Sequence, residues 1–162
     1  MEPLNNPLEV GIRVLVVLCE VFPDSLDLGQ LVYYDHAMLH SGDLDGPPSL
    51  HPATPARPGE LGIKRELIAD GLQVLSRAGM AQLLVTPDGI AYQATEDAPG
   101  FLKILEAPYV NKLQDRADWV AAELHPLRGN DLRQAMTQVF DKWSEEFYES
   151  PRHRSLESEN GE

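Results

Sequence analysis

The 162-residue sequence holds a single cysteine, Cys19, which excludes an internal disulfide framework and a cysteine-rich zinc site. Positive charge is scarce. Thirteen Lys and Arg stand against 26 Asp and Glu, a formal net charge of −13. Sequence-independent DNA binding is driven largely by Lys and Arg neutralising phosphates, so the balance disfavours a free-standing, tight DNA binder. It leaves room for a local basic patch on one face, and it suits an acidic subunit that docks on a more basic partner. No apolar run reaches the roughly 18 residues of a membrane helix. The nearest, "IRVLVVLCEVF", is interrupted by Arg13 and Glu20. The opening "MEPLNNPLEV" is acidic and does not read as a secretory signal, so a cytoplasmic chain without membrane contact is expected. Also lacking are a phosphate-binding loop, a dinucleotide fingerprint and a G-x-S-x-G elbow.

What is present reads as helices. Hydrophobic residues make up 43% of the chain, enough for the core of one ordinary domain. Leu8 to Phe22 repeats apolar residues on a helical period, with Asn6 as N-cap, Pro7 at the first helical position and Pro23 as the stop. "DSLD" supplies a second cap. Leu28 to His40 then forms a helix with Leu28, Leu31, Val32, Asp35 and Leu39 along one side. Ser41 to Gly62 is dense in Pro and Gly and has no period, which marks a long connection of the kind that carries contacts. A third helix, Ile63 to Ala78, carries the stripe Ile63, Leu67, Ile68, Leu72 and Leu75, with Gly79 placed to end it. "LLVTPDGIAY" is a β-hairpin with strong turn chemistry. The remainder is helical, bent at Pro108, up to about Ser150.

The expected fold is therefore mainly α with a small β-hairpin. It is a winged helix-turn-helix-like domain over residues 6–94 followed by a C-terminal helical extension over 95–150. Residues 151–162 form a polar, acidic tail expected to be disordered.

The side chains suggest four kinds of site. His36 and His40 lie at i and i+4 and share a helix face, as metal ligands do, and His51 in the loop offers a third nitrogen. The residue after His36 is Ala37, however, so the glutamate of a zinc-protease helix is missing. Ser41 sits in "HSGD", but neighbouring residues at a helix end seldom provide a triad's oriented base and oxyanion hole. No metal, cofactor or catalytic residue is expected from these patterns. Lys64 and Arg65 open the third helix where a recognition helix would meet DNA, yet Glu60, Glu66 and Asp70 share the region and the turn "TPDG" carries an acid. The alternative of a DNA-binding transcription regulator rests on those two cations. Trp119, Trp143, Phe147 and Tyr148 lie beyond the hairpin, where aromatic side chains can anchor a partner.

The stretches "NNPLEVGIRVLVVL", "LDLGQLVYYDHAMLHSGDL", "PPSLHPATPARPGELGIKRELIADGLQVLSRAGM" and "GIAYQATEDAPGFLKILEAPYVNKLQDRADWVAAEL" together resemble the middle-component family of ABC-three-component systems, the small subunit of Lamassu-type anti-phage defence. The resemblance runs from about Asn6 to Glu123 and is most specific in "HSGD", "PPSLHP" and the "GEL…R" entry to the third helix. It implies a non-enzymatic adaptor between an SMC/Rad50-like ATPase subunit and an effector nuclease subunit. That adaptor would hold the effector inactive until DNA is sensed, and would meet DNA only through the complex. On this reading the loop positions His40, Ser41, Asp43, His51, Arg57 and Glu60 join the C-terminal aromatics as partner contacts.

Overall fold

Asn6 opens the first helix, α1 (Pro7–Val21). Its side-chain oxygen accepts the Glu9 amide at 2.9 Å, and Pro7 stands in the first turn, where its missing N–H leaves nothing unpaired. The computed structural model of the chain describes residues 6–51, 60–105, 107–127, 131–132 and 134–135. The second helix, α2 (Leu28–Leu39), starts on a reciprocal cap. Asp27 accepts the Gln30 amide at 2.7 Å, and the Gln30 side chain accepts the Asp27 amide at 2.9 Å. The third helix, α3 (Glu60–Arg77), begins three residues before the expected Ile63. Its inward face keeps Ile68, Leu72 and Leu75 of the expected stripe, with Leu67 packed against the core, and adds Gly71 and the partly buried Lys64. Only Ile63 departs from the stripe: it is 57% exposed, and its neighbour Lys64 takes the inward place in the first turn.

α1 and α3 cross at glycines. A Cβ on Gly71 would stand 3.0 Å from the Gly11 nitrogen, 3.1 Å from its Cα and 3.2 Å from the Pro7 carbonyl oxygen. Backbone meets backbone there, with no side chain between that could yield. The crossing brings Val10, Val14 and Leu18 of α1 into one core with Ile68, Leu72 and Leu75 of α3.

The hairpin pairs β1 (Ala81–Thr86) with β2 (Gly89–Ala94) in an unbroken antiparallel register from Ala81–Ala94 to Thr86–Gly89. Pro87 and Asp88 make the turn, and Gly89 takes a φ of +122°, open to glycine alone at little cost. Between α1 and α2, Leu26 exchanges two backbone hydrogen bonds with Tyr92, at 3.0 and 2.8 Å. β2 therefore has β1 on one side and Leu26 on the other.

The expected bend at Pro108 is a break between two helices, α4 (Ala98–Leu105) and α5 (Pro108–Leu124). Ala107 is extended and Pro108 occupies the first turn of α5, so the proline starts a helix and does not kink one. α5 packs on α1 and α2 and contributes Val110, Leu113, Ala117, Val120 and Leu124 to the common core. The segment after the hairpin is thus part of the central packing. The fold is mainly α-helical with one two-stranded hairpin, and among the described residues no helix is long and apolar enough to cross a membrane.

Candidate functional site

Three charges meet inside the helical core. Arg13 on α1 donates from Nε to Oδ1 of Asp35 at 2.9 Å and from Nη2 to Oδ2 at 3.2 Å, a two-pronged contact. Lys64 on α3 donates to Oδ2 of the same carboxylate at 2.8 Å. Arg13 and Asp35 are almost wholly buried, and Lys64 is 15% exposed. Burial alone would push the Asp35 carboxyl up, but the Lys64 and Arg13 charges and their hydrogen bonds outweigh it and hold Asp35 far below the usual carboxylate range. Burial likewise opposes the charge on Arg13, and Asp35 overrides it, leaving the guanidinium firmly protonated. The cluster ties α1, α2 and α3 together.

A row of rings leads from this cluster toward the surface. His36, next to Asp35, is buried, and its pKa is pushed down to about 3 by burial, then by the Lys64 charge and by His40. The His36 and His40 rings lie 4.8 Å apart, and His51 stands edge-on to His40 at 6.4 Å. Nε2 of His51 is 2.9 Å from the Tyr109 hydroxyl on α5, and the two rings stack. Burial lowers the His51 pKa and raises that of Tyr109.

The first half of the Pro/Gly segment is a folded strap over this row. Ser41 to Leu44 make a 3-10 turn that ends on Asp45 at a φ of +58°. The buried Ser41 hydroxyl donates to the Pro47 carbonyl at 2.7 Å, and the Leu50 and His51 amides return to the Leu39 carbonyl at 3.0 and 3.1 Å. Arg116 of α5 donates to the Pro48 carbonyl at 3.1 Å. Gly46 lies flat on the Trp119 indole, so close that a Cβ at this position would overlap the ring. With His51 on Tyr109, the strap is fastened to α5 at three points.

The family model for the ABC-three component (ABC-3C) system Middle Component 2 matches residues 3–146, most of the chain and every described residue. The chain belongs to the ABC-3C Middle Component 2 family. No curated protein and no solved structure matches it. As its family name states, a Middle Component 2 is one part of a multi-component system.

The positions singled out in the sequence fall in different places on this middle component. His36, His40 and His51 are brought together, but among the described residues no group of three or more His, Cys, Asp or Glu side chains is arranged to hold a metal. Ser41 is wholly buried and its hydroxyl is engaged by the strap. Lys64 is committed to Asp35, while Arg65 is exposed. Trp119 is half-buried against Gly46. Asp43 lies in the 3-10 turn and Glu60 begins α3, but their side chains are outside the described set. Arg57, Trp143, Phe147 and Tyr148 lie outside the described residues, as do the expected last helix from Met136 onward and the acidic tail. No local motif names the Arg13–Asp35 pair, although the sequence shows an arginine inside an apolar helix and an aspartate on an apolar stripe.

Two outcomes follow for a purified middle component. Gly46→Ala should push the indole off the strap, at a cost of about 1–3 kcal/mol, the range for overpacking. In a Trp143→Phe background, Trp119 fluorescence should shift to the red. An unshifted spectrum would contradict the contact. Acid should also destabilise the fold. His36 is neutral when folded down to about pH 3, whereas the unfolded chain protonates it near its ordinary 6.5. The unfolded state then binds the extra proton, so the His36 contribution is full above pH 6.5 and is lost as pH falls toward 3. One proton corresponds to at most about 1.4 kcal/mol per pH unit. Urea unfolding at stepped pH should show this slope, flattened in His36→Leu.

Proposed function

We propose that this middle component is a non-catalytic adaptor of a Lamassu-type anti-phage or anti-plasmid system. It bridges an SMC-like ATPase and an effector nuclease and helps to keep the effector inactive until DNA is sensed. The observation that carries the reading is the family match over residues 3–146, which makes the chain one subunit among several. The element order supports it. A helix, the short strand at Leu26, two helices and a hairpin whose second strand lies between the first and Leu26 is the order of a winged helix. That fold serves as a docking module as well as a DNA reader.

The charges favour docking. Lys64, which a recognition helix would point at phosphate, is bound to Asp35, and Asp88 occupies the hairpin turn. A net charge of −13 adds to the repulsion. The side chains with chemical potential (Ser41, His36 and Asp35) are engaged in structure.

Fluorescence anisotropy tests this against the DNA-reader alternative. The isolated chain is expected to leave a labelled duplex of its own promoter unbound at about 0.15 M salt, the physiological strength, and to show no ATP or DNA hydrolysis. Salt-sensitive, sequence-selective binding that is lost in Arg65→Ala would overturn the adaptor reading in favour of a regulator.

A further inference from the structure

The hairpin has one guarded edge and one open edge. Tyr92 sends both its N–H and its C=O away from β1, to Leu26. In an antiparallel ladder such a residue belongs to a non-hydrogen-bonded pair, and its partner also directs its backbone groups outward. The partner is Leu83. By the two-residue alternation Val85 does the same, so the N–H and C=O groups of Leu83 and Val85 face away from β2. Among the described residues, no strand or backbone bond meets them there.

Among the described residues this edge carries none of the usual guards. β1 reads "AQLLVT", with no charge, no proline and no bulge in its six-residue register. The side chains of Leu83, Val85 and Ile90 share one face and are 51%, 85% and 53% exposed. In a chain that is 24% charged, the two strands hold no charged residue, while exposed acids sit at either end: Asp88 in the turn, and Glu96 and Asp97 just after β2. An uncharged strand edge framed by carboxylates has a definite complement.

We propose that β1 is a strand-addition site that takes an extended segment of another subunit of the system, apolar at alternate positions and flanked by Lys or Arg. The added strand hydrogen-bonds to the outward groups of Leu83 and Val85, its apolar side chains extend the Leu83–Val85–Ile90 face, and its basic flanks meet Asp88 at one end and Glu96–Asp97 at the other. A second copy of this chain fits less well, because pairing two copies brings acidic ends together on bodies that each carry −13. The inference rests on the adaptor reading for the identity of its partner.

The test uses the full chain, alone and co-expressed with the other components of its system, read by residue-resolved amide hydrogen exchange and co-purification. In the free chain the Leu83 and Val85 amides should exchange fast while those of Leu84 and Thr86 are protected by β2. In the complex the Leu83 and Val85 amides should slow by about tenfold or more, as paired amides do. Val85→Pro removes only an outward donor, so the hairpin persists, with an unchanged circular dichroism spectrum, and the complex is lost. Val85→Lys should also break the complex, and provides the check should the proline variant fail to fold. If the wild-type complex forms with the Leu83 and Val85 amides still open, or tolerates Val85→Lys, strand addition is overturned and the adaptor reading stands. Protection of those amides that rises with concentration of the chain alone would assign the edge to a second copy and overturn the proposal. If the wild-type chain assembles with no other component, the adaptor reading falls and takes this one with it.

Discussion

Asp35→Ala is expected to cost the fold about 3–5 kcal/mol at 25 °C. The substitution takes from Arg13, only 3% exposed, the carboxylate that grips it at two points, and removes the partner that draws Lys64 inward. Breaking a buried ion pair from one side costs about 3–5 kcal/mol, a large share of the roughly 5–15 kcal/mol that holds a domain together. The loss comes from desolvation, which burial imposes on Arg13 whether or not Asp35 is there to offset it. Arg13→Met should therefore rescue Asp35→Leu, because an apolar pair of similar volume needs no hydration and is often neutral or stabilising. Lys64 can follow its flexible stem to solvent from its position at the margin. Soluble yield and urea unfolding measure both effects. Stability of Asp35→Ala within about 1 kcal/mol of the parent would contradict the cluster.

Gly71→Leu should abolish folding, and even Gly71→Ala should cost stability. In an ordinary helix interior, glycine to alanine gains about 1 kcal/mol. Here the new methyl would meet the backbone of Gly11 and the carbonyl of Pro7 at 3.0 to 3.2 Å, so α1 itself must move. Overpacking of this kind costs about 1–3 kcal/mol, which reverses the usual sign. Gly100→Ala is the control, since a Cβ there meets nothing within 4 Å. A gain at Gly71 equal to that at Gly100, read by thermal unfolding, would show that the crossing is looser than described.

Both predictions concern features that only the assembled chain displays. The elements themselves are written in local chemistry: Asn6 and Pro7 at one helix start, Asp27 and Gln30 at another, Pro87-Asp88-Gly89 in the turn. Such signals act over a few residues and can be read one at a time. The partners of Asp35 lie 22 and 29 positions away, and the strap's tie to Arg116 spans 68. A single charge on an apolar face announces that a partner exists but does not name it. Leu26 escapes for another reason: one paired residue is too short to leave a period, yet it makes β2 an inner strand and β1 an edge. The Pro/Gly richness of the strap read as an open loop because composition reports backbone freedom. Its order comes from Gly46 on Trp119 and from His51 on Tyr109. Of the stripe on the third helix only Ile63 faces outward, for the same cause: the inward place in that turn belongs to Lys64, a charge with a buried partner.

The central claim is that this middle component joins two other proteins. Native mass spectrometry of the ATPase and the effector, purified separately and mixed with and without this chain, addresses it directly. The account predicts a binary complex of the chain with each partner, a ternary complex when all are present, and no complex of ATPase with effector when the chain is left out. Association of the ATPase and the effector in its absence would contradict it.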